Sequence, residues 1–220
     1  MLSTAFTPPD GSLLVLCLSW DENSTADNVV WTITGGSLTW TTQVERNGND
    51  AGATAGGAAI ITAPVTTGAS MQVTVTRNTG GGTQSRQMSA KVYIVTGEHA
   101  SPIGANGEGS STTNNLSPTL FAATGAGRAF YCGTDWSQRG APTSTDTEDS
   151  GDYSGMISCM SAYKASDHTS GSISGNLDGG GTSACDWNWV ALEILSAGGA
   201  PAATSLPPHA LRSPTHFLMR

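Results

Sequence analysis

The chain has 220 residues, 28 of them glycine, and a formal net charge of −8 from 17 Asp plus Glu against 9 Lys plus Arg. That length can bury a sizeable core. The acidic balance, with no basic stripe or arginine cluster, speaks against a nucleic-acid partner, and no 18-residue apolar segment exists to span a membrane.

The first residues end in the turn signal Pro8-Pro9-Asp10-Gly11 and read as an extended arm over residues 1–11. They lack a positively charged start, so no signal peptide is expected. Residues 12–20 form the first strand, and its near-continuous apolar run implies cover on both faces. A polar loop over 21–28 leads to short strands at 29–34 and 38–44, with Leu38, Trp40 and Thr42 on one face of the second. Residues 58–62 form a strand that Pro64 ends. Residues 71–76 alternate cleanly, placing Met71, Val73 and Val75 toward the core. Residues 89–96 form another strand covered on both sides.

The second half is looser. Residues 98–117 read as a long polar loop, a length that in a compact domain points to a role or a partner. Strands follow at 116–122 and 128–132. A second loop over 134–152 holds Asp135, Asp146, Glu148, Asp149 and Asp152. A strand or mixed segment covers 153–163, a Gly- and Ser-rich loop covers 164–184, and residues 186–195 close the series. Residues 196–220, rich in Ala, Gly and Pro, read as an extended or flexible tail. Short β-branched runs with glycine-rich breaks predict an all-β fold. The expected form is an antiparallel, jelly-roll-like β-sandwich over 12–195 with roughly eight or more strands.

Cys17, Cys132, Cys159 and Cys185 form no CxxC pair, so zinc has no spacing support. Cys17 and Cys159 lie inside apolar runs and read as small buried hydrophobes. Cys132 and Cys185 sit at predicted strand edges and are the better candidates for a disulfide. No HxH or HExxH pattern joins His99, His168, His209 and His216, and no nucleophile elbow or dinucleotide loop occurs. The acids of 146–152 offer hard oxygen ligands without EF-hand spacing and read as a solvated loop. No cofactor or metal is expected.

The nearest thing to a site is aromatic and acidic. Cys132-Gly133-Thr134-Asp135-Trp136 and Cys185-Asp186-Trp187-Asn188-Trp189 each carry an Asp directly before a Trp. Trp187 and Trp189 share one face of the last strand, and Val190, Leu192 and Ile194 take the core face. The two tryptophans can pack against a neighbouring subunit or against the other sheet. They can also act with Trp136 as platforms for sugar rings, with Asp135, Asp186 and Asn188 binding hydroxyls. Glu193 lies on the same face. Its pairing with Asp186 or Asp135 as glycosidase carboxylates is conceivable, and the plainer expectation is a polar residue on the less buried face of an edge strand.

Several stretches resemble small β-rich structural proteins of tailed bacteriophages, of the minor tail, fibre, spike or capsid-associated type. Phe6-Thr7-Pro8-Pro9-Asp10-Gly11-Ser12-Leu13-Leu14-Val15 is similar to their start, and Ile33-Thr34-Gly35-Gly36-Ser37-Leu38-Thr39-Trp40 to their second unit. Ala58-Ala59-Ile60-Ile61-Thr62-Ala63-Pro64 with Met71-Gln72-Val73-Thr74-Val75-Thr76 resembles the next pair, and Trp189-Val190-Ala191-Leu192-Glu193-Ile194 the final strand. The resemblance implies a non-enzymatic virion component whose partners are other virion proteins. It also implies a homo-oligomer, with a trimer preferred by analogy with fibres and spikes. The alternative is a module of a virion appendage that binds carbohydrate on the host surface.

Overall fold

The computed structural model of the chain describes residues 2–20, 30–48, 50, 56–79, 88–112, 117–135, 146–153, 158–177, 186–198 and 202–204. These residues are all-β. In chain order the strands are β1 (Leu13–Trp20), β2 (Val30–Thr34), β3 (Thr41–Arg46), β4 (Gly57–Pro64), β5 (Thr74–Thr79), β6 (Met88–Thr96) and β7 (Glu98–Ser111). There follow β8 (Thr119–Ala122), β9 (Gly127–Asp135), β10 (Thr147–Tyr153), β11 (Ser158–Tyr163), β12 (Ser172–Ser174), β13 (Trp187–Ser196) and β14 (Ala202–Thr204).

Two five-stranded antiparallel sheets, ordered β14-β6-β1-β4-β3 and β10-β11-β9-β13-β7, pack face to face. Their shared core holds Val15, Cys17, Ile60, Tyr93 and Val95 from the first sheet and Phe130, Cys132, Val190, Leu192 and Ile194 from the second. The outer faces are covered too. The β2–β5 pair lays Trp31, Ile33 and Val75 over Leu16, Leu18 and Trp20 of β1. The β8–β12 pair, with Leu177, lies over Tyr131, Met160, Trp187 and Trp189. This four-layer arrangement explains why all eight residues of β1 are buried, the even ones on one face and the odd ones on the other. The N-terminal arm docks on the first outer layer, through Ser3 N–H to the Val73 carbonyl at 2.9 Å and paired bonds between Phe6 and Met71.

Several expectations about loops need correction. Residues 98–111, read as loop, form β7, a strand paired along β13. β7 is poor in β-branched residues because its glycines serve close packing. A Cβ on Gly107 would lie 1.7 Å from the Leu120 carbonyl oxygen, and one on Gly109 would lie 2.6 Å from the Trp189 ring. We therefore expect Gly107→Ala to force β8 away from β7 at a cost of about 1–3 kcal/mol, seen as a lower urea midpoint. An unchanged midpoint would mean that β8 does not lie against that backbone. Part of the acidic loop forms β10, and β14, within the segment read as tail, pairs along Thr96, Val95 and Ile94 of β6.

Candidate functional site

The last strand does not present its tryptophans outward. β13 is a central strand between β9 and β7, and its Trp face lies beneath the β8–β12 layer. Trp187 is fully buried and Trp189 is 7 % exposed. Trp189 lies against Gly109, where the missing side chain makes room for the indole. Both rings are core of the chain itself, so neither stands as an outward platform. Trp136 and Cys185 lie outside the described residues.

The polar neighbours are also structural. Asp135, at the end of β9, is fully buried and accepts a hydrogen bond from the Asp186 backbone N–H at 2.8 Å. Asp186 itself is half-buried. Asn188, fully buried, donates to the Gly56 carbonyl at 2.8 Å and accepts from the Ser110 hydroxyl at 2.7 Å. That hydroxyl accepts in turn from Arg46 Nε at 2.8 Å, and Arg46 also pairs with Glu108 at 3.3 Å. The chain of bonds ties β3 of the first sheet to β7 and β13 of the second. Asn188 has its donor and acceptor occupied by protein, which is how a buried amide is normally satisfied.

Cys132 is likewise not at a strand edge. It sits within β9, faces the shared core, and places its Sγ 3.6 Å from the Leu18 carbonyl and 3.5 Å from that of Ala59. It is a free, buried cysteine.

Glu193 departs most from expectation. It lies on the central strand β13 and is fully buried. The Ala105 N–H donates to Oε2 at 2.8 Å, and Thr124 donates to Oε2 through both its N–H (3.0 Å) and its hydroxyl (2.5 Å). His168 Nε2 lies 2.8 Å from Oε1. Local structure supplies each partner. The β7–β13 register shifts between Leu192 and Ile194, a bulge that releases the Ala105 N–H from the ladder toward the carboxylate. Thr124 follows β8. His168 is held in place by paired backbone bonds with Gly127, and its ring meets the edge of Phe121 with centroids 5.9 Å apart. Gly104 leaves the space that the carboxylate fills, since a Cβ there would come within 2.3 Å of Oε2. Burial alone would raise the Glu193 pKa. The bonds from Thr124, Ala105 and His168 outweigh burial and hold it below its usual value.

An acid beside a histidine resembles a proton-transfer pair. This acid is enclosed, and its oxygens are taken up by four donors. It works as a clip that fastens β7, β8 and the segment before β12 to β13. The fold does not bring Asp135 and Glu193 together, because they lie toward opposite ends of the β9–β13 ladder. Asp146 binds the Tyr131 hydroxyl at 2.6 Å and Lys164 Nζ at 2.6 Å, so it too is engaged in the fold. Among the described residues no group of three or more His, Cys, Asp or Glu side chains is placed to hold a metal ion.

A different part of the molecule has the shape of a site. A cavity of about 300 Å³ opens between β2 and the edge strand β3, lined by Trp31, Ile33, Trp40, Thr42, Glu45 and Ile61, among others. Burial pushes the Glu45 carboxyl above its ordinary value, with the Asn47 amide opposing the rise and Asp50 adding to it. The sequence signals for this cavity were the alternation that sets Trp31 and Ile33 on one face of β2 and the placing of Trp40 beside Thr42. Neither shows that the β2–β5 pair folds over the first sheet. Compared with protein-family models, with curated proteins and with solved structures, the chain matches none.

Proposed function

We propose that the chain is a non-enzymatic structural module of a bacteriophage particle, acting through contacts with other virion proteins and with copies of itself. The observation that carries this reading is the use made of the last strand. Trp187, Asn188, Trp189 and Glu193, groups that a glycan platform or a pair of hydrolytic carboxylates would have to present, are all buried within the chain. Their chemistry is spent on holding four layers together, as suits a building module. The resemblance over roughly residues 5 to 195 supplies the virion setting, and a symmetric oligomer, preferably a trimer, is the assembly we propose.

For the architecture we propose a β-sandwich without jelly-roll connectivity. A jelly roll is built from Greek keys, each with four successive strands in the order 4-1-2-3. In the first sheet no four strands successive in the chain stand together, because β2 and β5 pair in a sheet of their own. Apart from β14, each sheet draws on one half of the chain.

Mass spectrometry of purified particles tests the role, and the chain is expected among the virion proteins. Its absence from particles made by cells that express it would overturn the proposal. Light scattering of the purified chain at micromolar concentration should give a multiple of the single-chain mass. A monomer would count against self-association and leave docking on another virion protein as the mode of assembly.

A further inference from the structure

We propose that the cavity between β2 and β3 binds a neutral sugar ring, with Trp31 and Trp40 as apolar walls and Glu45 and Thr42 as hydroxyl partners. The inference does not rest on the virion reading, and it places carbohydrate recognition on residues remote from Trp187 and Trp189.

Four observations carry it. First, the cavity has the lower-end volume of small-molecule sites, about 300 Å³, and mixes apolar walls with a few polar groups. Second, its walls are held from behind. Trp31 packs edge-on against Trp20 with ring centroids 5.3 Å apart, and Trp20 is fully buried in β1. Third, the Nε1–H groups of both Trp31 and Trp40 are buried and find no acceptor among the described residues. A buried donor left unmade costs about 1–3 kcal/mol. An occupant carrying hydroxyl oxygens, met by a small turn of either indole, removes that cost.

Fourth, the surrounding charges select a neutral ligand. Glu45 lines the cavity and Asp50 acts on it electrostatically, so an anion would be repelled. The β2–β5 register sets Arg77 opposite Trp31, so a positive charge is carried on the strand pair that walls the cavity. A neutral ring with several hydroxyls suits both signs. It donates to the Glu45 carboxylate, accepts from indole N–H groups, exchanges either way with Thr42, and lays its C–H face on Ile33, Ile61 and the indoles.

The test is a titration of the full chain with methyl glucoside, methyl galactoside, methyl mannoside and N-acetylglucosamine. Tryptophan fluorescence and calorimetry follow binding, and choline and inorganic phosphate serve as charged probes. At least one sugar should bind saturably at one site per chain. Glu45→Gln and Trp40→Phe, which keep the approximate shape, should each weaken that binding about tenfold, the size of one lost hydrogen bond to a group left buried. Trp187→Phe should leave it unchanged. Far-UV circular dichroism of each variant checks the fold. Failure of every sugar to saturate would overturn the proposal, as would equal affinity in Glu45→Gln and Trp40→Phe. Binding of choline or phosphate in place of the sugars, lost in Glu45→Gln, would show a charged ligand and overturn the assigned class. None of these outcomes bears on particle membership or oligomer mass.

Discussion

Replacing Glu193 by alanine is expected to cost the fold about 2–4 kcal/mol, since one buried carboxylate accepts several hydrogen bonds and bonds to a charged group are worth about 1.5–3 kcal/mol each before solvent takes over the exposed donors. The change removes the buried acceptor of the Ala105 and Thr124 N–H groups, the Thr124 hydroxyl and His168 Nε2 at once. That is a large fraction of the roughly 5–15 kcal/mol by which a folded domain is stable. Glu193→Gln keeps the volume and part of the hydrogen bonding and should lose less. The two variants, unfolded in urea beside the unchanged protein, give the ranking. Equal stability of all three would mean that the carboxylate fastens nothing.

The same group predicts a pH dependence. Its folded pKa lies below the ordinary glutamate value of about 4.5. Between the two values the unfolded chain holds more protons than the folded one, so stability rises with pH there. The carboxylate's contribution is thus fully present above about 4.5 and is lost as pH falls through the lower folded value. The gap in stability between the unchanged protein and Glu193→Gln should narrow as pH drops below that point. A gap constant from neutral pH into the acid range would remove ionised Glu193 from the account.

Trp187→Ala is the second large effect, about 3–5 kcal/mol. The indole is fully buried among Tyr131, Met160 and the other residues of the outer core, and truncation leaves a void that the β8–β12 layer fills only in part. Trp187→Phe should cost much less. It leaves a smaller void and also deletes an indole N–H that is buried without an acceptor among the described residues. Thermal unfolding of the two variants separates this role from that of an exposed platform, for which both would unfold with the unchanged protein. Substitution of an exposed side chain is usually worth within about 0.5 kcal/mol.

The strands with strong local signals were legible. β1, β4, β6 and β13 are runs of branched and apolar residues; Met71, Val73 and Val75 are buried as their alternation requires, but the strand there, β5, begins only at Thr74 and runs to Thr79. β7 was not legible, because a strand rich in Gly, Ser and Ala, with a Pro inside it, has little propensity of its own. It is a strand because β13 pairs with it and because its glycines admit Leu120 and Trp189. What covers the outer face of the last strand was not legible for a related reason. Period-two alternation correctly put Trp187, Trp189 and Glu193 on the face opposite Val190, Leu192 and Ile194. It could not tell that a further layer covers that face.

The sequence by itself determined the all-β class, the places of the apolar strands and which residues share a face, since these follow from local propensity and the two-residue repeat of a strand. Only the tertiary structure decided what lies over each face. It made Glu193 a clip, Asn188 a tie between sheets and Trp187 a core residue, and it placed Trp31 and Trp40 beside Glu45 around a cavity. Those outcomes join residues far apart in the chain, such as Ala105, Thr124 and His168 around one carboxylate, and no local pattern encodes a contact between distant segments.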